Sequence, residues 1–280
     1  MLTRRAALAG AAVGLSGAAP SREPRRIVSL SPCLDVILVR LAERSRIAAI
    51  SHYSHNPSSS SIGPAGATYP FIYESAEEIL ALRPDLVLAA RHSSPATRSA
   101  LKRLGIPTVL FAVPDTVEES LAQVREIARA VHRPERGEAL VAEIRAALAA
   151  AAPRPGTPRL TAVTFQAGGF ATGPGTLMDE MMRRCGLDNK APAYGVTRTS
   201  NIPLERIVAD PPDVLLAGEA EPGAPTWADR VLNHPALKRA GVHTHRAIFP
   251  QQLTFCGGPV LIQSARMLAR AREAALEARA

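Results

Sequence analysis

Aromatic residues are scarce in this 280-residue sequence: they make up 4% of it and include a single tryptophan. Three cysteines are too few for a disulfide scaffold, and the lack of a Cys-x-x-Cys pair excludes the usual structural-zinc and redox motifs. No run of about 18 apolar residues occurs, so we expect no transmembrane helix. The motifs of P-loop enzymes, α/β-hydrolases and zinc peptidases are missing too. We therefore expect no enzyme of these classes.

The composition is that of a folded chain with a positive charge. Hydrophobic residues make up 46% of the sequence and charged residues 21%, and 33 basic against 25 acidic residues give a net charge of +8. This charge could favour an anionic ligand, but the arginines are scattered, which is typical of a solvated basic surface. Because no basic run with interleaved aromatic residues occurs, we expect no nucleic-acid partner.

The N-terminus has the pattern of an export signal. Arg4 and Arg5 precede fourteen uncharged residues, 6–19, which end in small residues. A charged start, a short apolar run and a small-residue cleavage zone predict an export signal over residues 1–20 and a periplasmic location. The weakly hydrophobic run after Thr3-Arg4-Arg5 favours the twin-arginine route. The alternative is a buried N-terminal helix, for which three glycines are poor interior residues.

Strands and helices alternate in both halves of the remaining chain. Short β-branched and apolar runs predict strands, and apolar residues at helical spacing predict helices. The predicted strands are 26–30, 47–50, 86–90, 108–111, 160–165, 214–217 and 247–249. The predicted helices are 35–41, 76–82, 97–104, 177–185, 228–239 and one that begins at Pro259. This alternation predicts an α/β fold with mainly parallel sheets.

Between the halves lies an Ala-, Glu- and Arg-rich stretch. Its apolar residues recur every three or four positions over residues 117–152, which predicts one long connector helix with a break or kink at His132-Arg133-Pro134. We therefore expect an N-terminal α/β lobe over residues 21–114, a helical connector over 115–156 and a C-terminal α/β lobe over 157–280.

The strongest internal signal is a repeat. Residues 77–89 align with residues 205–217 at a constant offset of 128, and seven of the thirteen positions are identical. Each copy reads as a helix, a Pro-Asp turn and a buried strand. Such junctions recur in α/β proteins, which accounts for the Pro-Asp but not for the glutamate at the head of each copy. The repeat therefore predicts two similar lobes.

This organisation resembles a known family. The resemblance depends on three features: the segment Arg26-Ile27-Val28-Ser29-Leu30-Ser31-Pro32, the two copies of the repeat and the single connector. In this order they resemble the substrate-binding proteins of ABC importers for vitamin B12 and ferric siderophores. The resemblance implies a monomer without a cofactor of its own, which binds rather than catalyses. It would capture a cobalt corrinoid such as cobalamin, or a ferric siderophore, in a cleft between the lobes and deliver it to the ABC permease dimer at the inner membrane.

The same resemblance implies two docking residues. The family uses one glutamate at the top of each lobe to contact arginines of the permease, and these positions match Glu77 and Glu205. Two exposed carboxylates on a rigid body would set the orientation of docking through charge complementarity. The simpler explanation is that each glutamate complements a helix dipole, but the matched pair favours docking.

The ligand contacts are expected after the strands. In parallel α/β sheets, ligands bind beyond the carboxyl ends of the strands. The aromatic rings of Tyr53 and Trp227 could stack on a chelate, and Arg91 could pair with an anionic siderophore. The candidate ligand-binding residues are Cys33, His52, Tyr53, Arg91, His92, Gln166, Phe170, Trp227, Phe249 and Gln251.

Two other functions remain open. His52 and His92, with a carboxylate, could bind bare zinc or manganese, but no complete ligand set has a recognisable spacing, so we assign no metal site. A two-lobed chelatase-like enzyme is the third candidate, although no nucleophile–base signature supports it.

The cysteines are an odd number for an oxidising compartment. One pair is expected to form a disulfide, and Cys185 with Cys256 is favoured because both fall in the second lobe. The sequence does not establish that they are close. Residues 256–259, Cys-Gly-Gly-Pro, are expected to form a structural turn before the last helix.

Overall fold

The computed structural model describes residues 22–56, 59–218 and 244–279. The predicted export signal, the predicted helix 228–239 and Trp227 lie outside these residues. In the part of the chain that is described, no helix is both long enough and apolar enough to cross a membrane.

The first lobe is built on a five-stranded parallel sheet. Its order is β3-β2-β1-β4-β5, with every neighbouring pair parallel. The strands are β1 (Ile27–Ser29), β2 (Ile47–Ser51), β3 (Phe71–Ile72), β4 (Leu86–Ala90) and β5 (Thr108–Phe111). The short edge strand β3 was not predicted, because two residues carry no periodic pattern.

Three helices accompany this sheet, and local sequence sets where they begin. They are α1 (Pro32–Leu41), α2 (Ala76–Ala81) and α3 (Pro95–Arg103). Proline, whose fixed φ suits the first turn, begins α1 and α3. A capping box begins α2: the Ser75 hydroxyl accepts from the Glu78 amide at 3.2 Å, and the Glu78 carboxylate accepts from the Ser75 amide at 3.3 Å.

The second lobe repeats the plan with a four-stranded parallel sheet. Its order is β11-β10-β6-β8, and β7 and β9 form a separate antiparallel pair. The strands are β6 (Leu160–Phe165), β7 (Phe170–Thr172), β8 (Leu187–Asn189), β9 (Thr199–Asn201), β10 (Val214–Ala217) and β11 (His245–Ile248). The helices described here are α6 (Leu177–Arg184), α7 (Leu204–Ala209) and α8 (Val260–Glu277).

The internal repeat is confirmed. Helices α2 and α7 both have six residues and begin 128 residues apart (204 − 76 = 128), and each precedes the strand beside the first strand of its sheet, β4 or β10. The expected fold class, two similar α/β lobes with mainly parallel sheets, is likewise confirmed.

The connector is a helical hairpin, so the expectation of one long helix is wrong. Its helices are α4 (Val117–Ala130) and α5 (Pro134–Ala151). The two helices run antiparallel. The ion pairs Arg125–Glu138 and Arg145–Glu118 show this, since each joins two residues that lie at similar distances along the chain from the turn. The break falls where the sequence placed it: Pro134 disfavours helical geometry in the residue before it, and His132 has a φ of +58°.

One core extends through both lobes and the connector. Along β1 and β4, Ile27, Leu86 and Leu88 face this shared core, whereas Val28 and Val87 face a separate cluster on the other side of the first sheet. The alternation follows from the two-residue period of a strand. The second sheet is packed in the same way, with its own outer cluster. The central strands of both sheets, β1 and β4 in the first and β6 and β10 in the second, are therefore buried on both faces, and the lobes are joined by packing as well as by the chain.

Candidate functional site

A cavity of about 440 Å³ lies where the strands of the first sheet end. Its lining follows β1, β2, β4 and β5 in turn: residues 30–34, Tyr53, residues 92–94 and residues 111–114. These segments meet because the carboxyl ends of parallel strands share one edge of the sheet. The cavity therefore occupies the position that the sequence predicted for the ligand.

The second lobe closes one side of this cavity. Among the described residues, its contribution is Phe255, Cys256 and Gly257, which belong to the turn before α8. Phe255 keeps 41% of its surface exposed, and its ring centroid is 6.1 Å from that of Phe170. The strand-end rule nominated residues directly after β11 and missed Phe255, which follows a further short 3₁₀ turn.

A disulfide crosses the cavity wall between the lobes. It joins Cys33 in the first turn of α1 to Cys256, with their Cα atoms 5.0 Å apart. The expected pair Cys185–Cys256 is therefore wrong. Cys185 is a fully buried free thiol at the end of α6 that packs in the shared core. Burial raises the pKa of this thiol to about 11, so it is neutral and unreactive.

Three of the predicted ligand contacts line the cavity: Cys33, Tyr53 and His92. Tyr53 is about half exposed. His52 lies just outside the lining and stacks against Tyr53 at 4.0 Å and Tyr73 at 4.7 Å between ring centroids. Its Nδ1 is buried with no hydrogen-bond partner in the described part of the chain. The structure thus brings the polar and aromatic side chains after β1, β2 and β4 together.

Two predicted contacts are buried instead, so these expectations are corrected. Phe249 is fully buried in the shared core, because its amide continues the pairing of β11 by donating to the Ala217 carbonyl at 2.8 Å. Gln166 is also buried, and its Nε2 donates to the Phe249 carbonyl at 3.1 Å. Neither side chain presents surface to a ligand in this structure.

The remaining predicted contacts within the described ranges lie outside the cavity lining. Arg91 is exposed directly after β4, Gln251 is exposed in the 3₁₀ turn after β11, and Phe170 is half-buried beside Phe255. The charge that Arg91 was expected to supply is therefore not part of the cavity wall.

Glu74 is a cavity residue that sequence reasoning missed. It follows the short strand β3 and has a φ of +70°, which is uncommon for a residue with a side chain. Burial raises the pKa of its carboxyl, and the nearby His52 and His92 oppose this shift. Recognition of β3 as a strand would have nominated Glu74 by the same strand-end rule.

Asp35 holds the turn that carries Tyr53. Its carboxylate is fully buried at the start of α1 and accepts from the Ser51 amide at 3.0 Å and the Ser54 hydroxyl at 2.6 Å. Burial raises the pKa of Asp35 to about 8, although these hydrogen bonds lower it. Asp35 was not predicted, because an acidic residue in the first turn of a helix is ordinary.

The described residues do not assemble a metal site. No group of three or more histidine, cysteine, aspartate and glutamate side chains in these ranges is close enough to hold a metal ion. His52 and His92 both lie near Glu74, but the three do not form such a group. The bare-metal alternative therefore lacks a ligand set in this part of the chain.

Glu77 and Glu205 occupy equivalent places in the two lobes. Each is exposed in the first turn of its helix, α2 or α7. Within the described ranges neither carboxylate is in an ion pair, whereas many other surface carboxylates are. Both charges are thus available to an external partner.

A second cavity, of about 400 Å³, lies between α1, residues 61–69 and the start of α8. Its described lining is mainly aliphatic side chains and Tyr69, with one cation, Arg40, which is already paired with Glu143 at 2.6 Å. None of its described lining residues directly follows a strand, so the interlobe cavity is the better candidate site.

Curated relatives cover most of the chain. A cobalamin-binding protein of Halobacterium salinarum is 27% identical over 203 residues, which are 70% of this chain but 54% of that protein. The chain thus spans about half the length of this relative. A vitamin B12-binding protein of Yersinia pseudotuberculosis is 27% identical over 206 residues, or 70% of each chain.

Solved structures of the same architecture match almost the whole chain. The apo periplasmic heme-binding protein RhuT from Roseiflexus sp. RS-1 has a TM-score of 0.70 and 26% identity over 90% of this chain and 98% of that one. The periplasmic vitamin B12-binding protein BtuF of Vibrio cholerae has a TM-score of 0.66 over 91% and 98%, and at 17% identity it shows the fold alone.

The family described as periplasmic binding protein matches residues 27–252, which include both sheets and most of the cavity lining. Members of this family bind ligands and are not enzymes. With its two repeated lobes, its helical connector and a cavity at the strand ends between them, this chain belongs to the periplasmic binding protein family.

Proposed function

We propose that this protein is the substrate-binding component of an ABC importer and that it captures a corrinoid in the interlobe cavity. The observation that carries this proposal is the cavity at the strand ends, with walls from both lobes. Relatives named for cobalamin or vitamin B12 support the ligand class. The heme-binding relative at 26% identity makes another planar metal chelate the second candidate.

The charge of the cavity favours a corrinoid over an anionic chelate. No arginine or lysine is part of its described lining, and Glu74 adds a carboxyl group. Heme propionates and the carboxylates of many siderophores would need cationic partners there. A corrin ring instead carries neutral amide side chains, which suit the hydroxyl groups of Ser31, Ser93 and Ser94 and the amide of Gln123.

Aromatic and imidazole groups would contact the ring and the metal. Tyr53 and Phe255 offer apolar faces to a flat macrocycle, and His92 offers an imidazole to its metal. A corrinoid is larger than this cavity, so part of it would protrude towards the stacked rings of His52 and Tyr73. Cys33 would contact the ligand only through its disulfide.

Delivery to a permease would use the two exposed glutamates. Glu77 and Glu205 are related by the internal repeat and project from lobes that share one core. Two carboxylates held at a constant separation suit a two-point contact with basic residues of a permease dimer. We further propose that residues 1–20 direct export to the periplasm, where N-terminal sequencing of the exported protein would start between Ala18 and Arg25.

The decisive experiment is to identify the ligand. Absorption and mass spectra of ligand co-purifying with the exported protein are expected to show a corrin, and titrations with cyanocobalamin, haemin, ferrichrome and Zn²⁺ would rank the candidates. Binding of cyanocobalamin ahead of the others is the expected result. If the protein bound Zn²⁺, released it to a chelator and bound none of the three metal chelates, the bare-metal function would be supported. Chemical conversion of a bound chelate would support an enzyme.

A further inference from the structure

The turn that carries Phe255 is fixed against the first lobe and the connector. The amide of Gly258 donates to the buried Ser120 hydroxyl of α4 at 2.7 Å. A Cβ on Gly257 would collide with this hydroxyl, and one on Gly258 would approach Cγ1 of Ile37 in α1 to 2.6 Å. Two adjacent glycines are therefore required for this close approach.

The disulfide adds a covalent link at the same place. Cys256 lies between Phe255 and Gly257, and its bond to Cys33 fixes the turn to the N-terminal end of α1. The turn thus belongs to the second lobe by sequence but is attached to α1 and α4 by a disulfide, a hydrogen bond and close packing. Phe255 has little freedom to move relative to the first-lobe wall of the cavity.

We propose that Phe255 is a specificity-determining residue and that the Cys33–Cys256 disulfide positions it. The fixed turn holds the ring at a constant distance from the lining after β1, β2 and β4, and this distance sets the thickness of the chelate that the cavity accepts. Phe170, beside the ring, supports it from the second lobe. This inference rests on the proposed function, because it concerns the ligand of the same cavity.

The test compares a thick and a thin chelate on the full exported protein. The probes are cyanocobalamin, which has substituents on both faces of its ring, and haemin, which is nearly flat. The variants are Phe255→Ala with the disulfide intact and Cys33→Ser/Cys256→Ser with the ring intact. Leu104→Ala, at an exposed apolar side chain outside the cavity, and Cys185→Ser, at the buried free thiol, are the matched controls.

Both variants are expected to lose selectivity. Phe255→Ala would raise the Kd for cyanocobalamin about tenfold, as for an anchoring aromatic residue. Removal of the disulfide in Cys33→Ser/Cys256→Ser would raise the Kd for cyanocobalamin about 2- to 12-fold. This range corresponds to the free-energy cost of ordering one side chain on binding. In both variants the preference for cyanocobalamin over haemin would shrink by about threefold or more, since a mobile or truncated wall no longer matches one thickness. Reoxidation of reduced wild-type protein would restore the preference.

Three results would overturn the inference. One is an unchanged preference in Cys33→Ser/Cys256→Ser despite a lower melting temperature, which would mean that the disulfide only stabilises the fold. Another is an unchanged preference in Phe255→Ala. The last is an equal change in the controls. If wild-type protein bound neither probe, the proposed function itself would fail. The three results above require a wild-type protein that binds, so failure of this inference can be told apart from failure of the proposed function.

Discussion

At the scale of single residues, the buried carboxyl of Asp35 is the clearest consequence of the fold. Its pKa is raised from 3.8 to about 8 by burial, so the folded state holds this proton more tightly than the unfolded chain does. Between these two values this carboxyl binds more protons in the folded state, so its contribution to the free energy of unfolding falls as the pH rises. Above about pH 8 this contribution stops changing.

Replacement of Asp35 by asparagine should remove this pH dependence. The asparagine side chain would keep an acceptor for the Ser51 amide and the Ser54 hydroxyl but has no proton to lose. The stability of Asp35→Asn relative to wild type should increase from pH 4 to pH 8, by at most about 1.4 kcal/mol per pH unit. Urea unfolding of both proteins at several pH values measures this difference, in which other titrating groups cancel. Parallel curves for the two proteins would contradict it.

His92 allows a second prediction at this scale. If its imidazole binds the metal of a corrinoid, mixing the protein with aquocobalamin should shift the absorption bands of the corrin, and His92→Ala should remove the shift. His132→Ala, at a histidine of the connector turn that is not among the described cavity-lining residues, is the control. A shift that persists in His92→Ala would show that another residue, or none, contacts the cobalt.

At the scale of elements, the connector hairpin depends on a close contact between its helices. A Cβ on Gly137 of α5 would collide with the Cβ of Ala128 in α4. Both residues are buried, so the helices would have to move apart. Gly137→Ala should therefore destabilise the protein by about 1–3 kcal/mol, although alanine is the better helix former.

The matched test of this contact is a compensating substitution. Gly137→Ala/Ala128→Gly restores the space and should be more stable than either single variant, because the alanine at residue 137 regains the helix propensity, about 1 kcal/mol, that the glycine at residue 128 loses. Thermal or urea unfolding of the three variants measures the coupling. Additive effects of the two substitutions would mean that the helices are not in contact at this point.

At the scale of the whole molecule, the hairpin is anchored to both lobes. At its turn, Arg133 pairs with Glu43 of the first lobe at 3.0 Å, and at its far end Arg272 of α8 donates to the Ala151 carbonyl at 3.0 Å. The disulfide and the shared core add further links between the lobes. Hinge bending requires a few residues that can absorb changes in φ and ψ, and these anchors leave little room for them.

Ligand binding should therefore cause only a small closure of the lobes. We expect small-angle scattering curves with and without cyanocobalamin to give radii of gyration that differ by less than about 2 Å, against about 13 Å for a compact 100-residue domain. A larger decrease would show that the packed interface opens when the cavity is empty.

The paired glutamates can be tested only in the whole transport system. Glu77→Ala/Glu205→Ala should abolish uptake while the ligand affinity of the isolated protein stays unchanged, and the double Arg variant should be worse, since like charges at an interface cost several kcal/mol. Glu135→Ala, which removes an exposed acid from the first turn of α5, is the control for the helix dipole. Normal uptake by the double alanine variant would remove the docking role.

Local patterns in the sequence were sufficient for the architecture. Periodicity and Pro-Asp junctions predicted the parallel α/β lobes, and the repeat predicted their equivalence, because these signals depend on neighbours along the chain. The strand-end rule likewise predicted the edge where the cavity lies, together with Tyr53 and His92. These features follow from chain order once the sheets are parallel.

Only the tertiary structure decided which distant residues meet. Cys256 pairs with Cys33 rather than Cys185, because the turn before α8 packs on α1 while the end of α6 faces the core. Phe249 and Gln166 turn inwards, whereas Phe255 and Glu74 reach the cavity. Such pairings depend on how helices and turns far apart in the chain pack against one another, and one sequence contains no local signal for that packing.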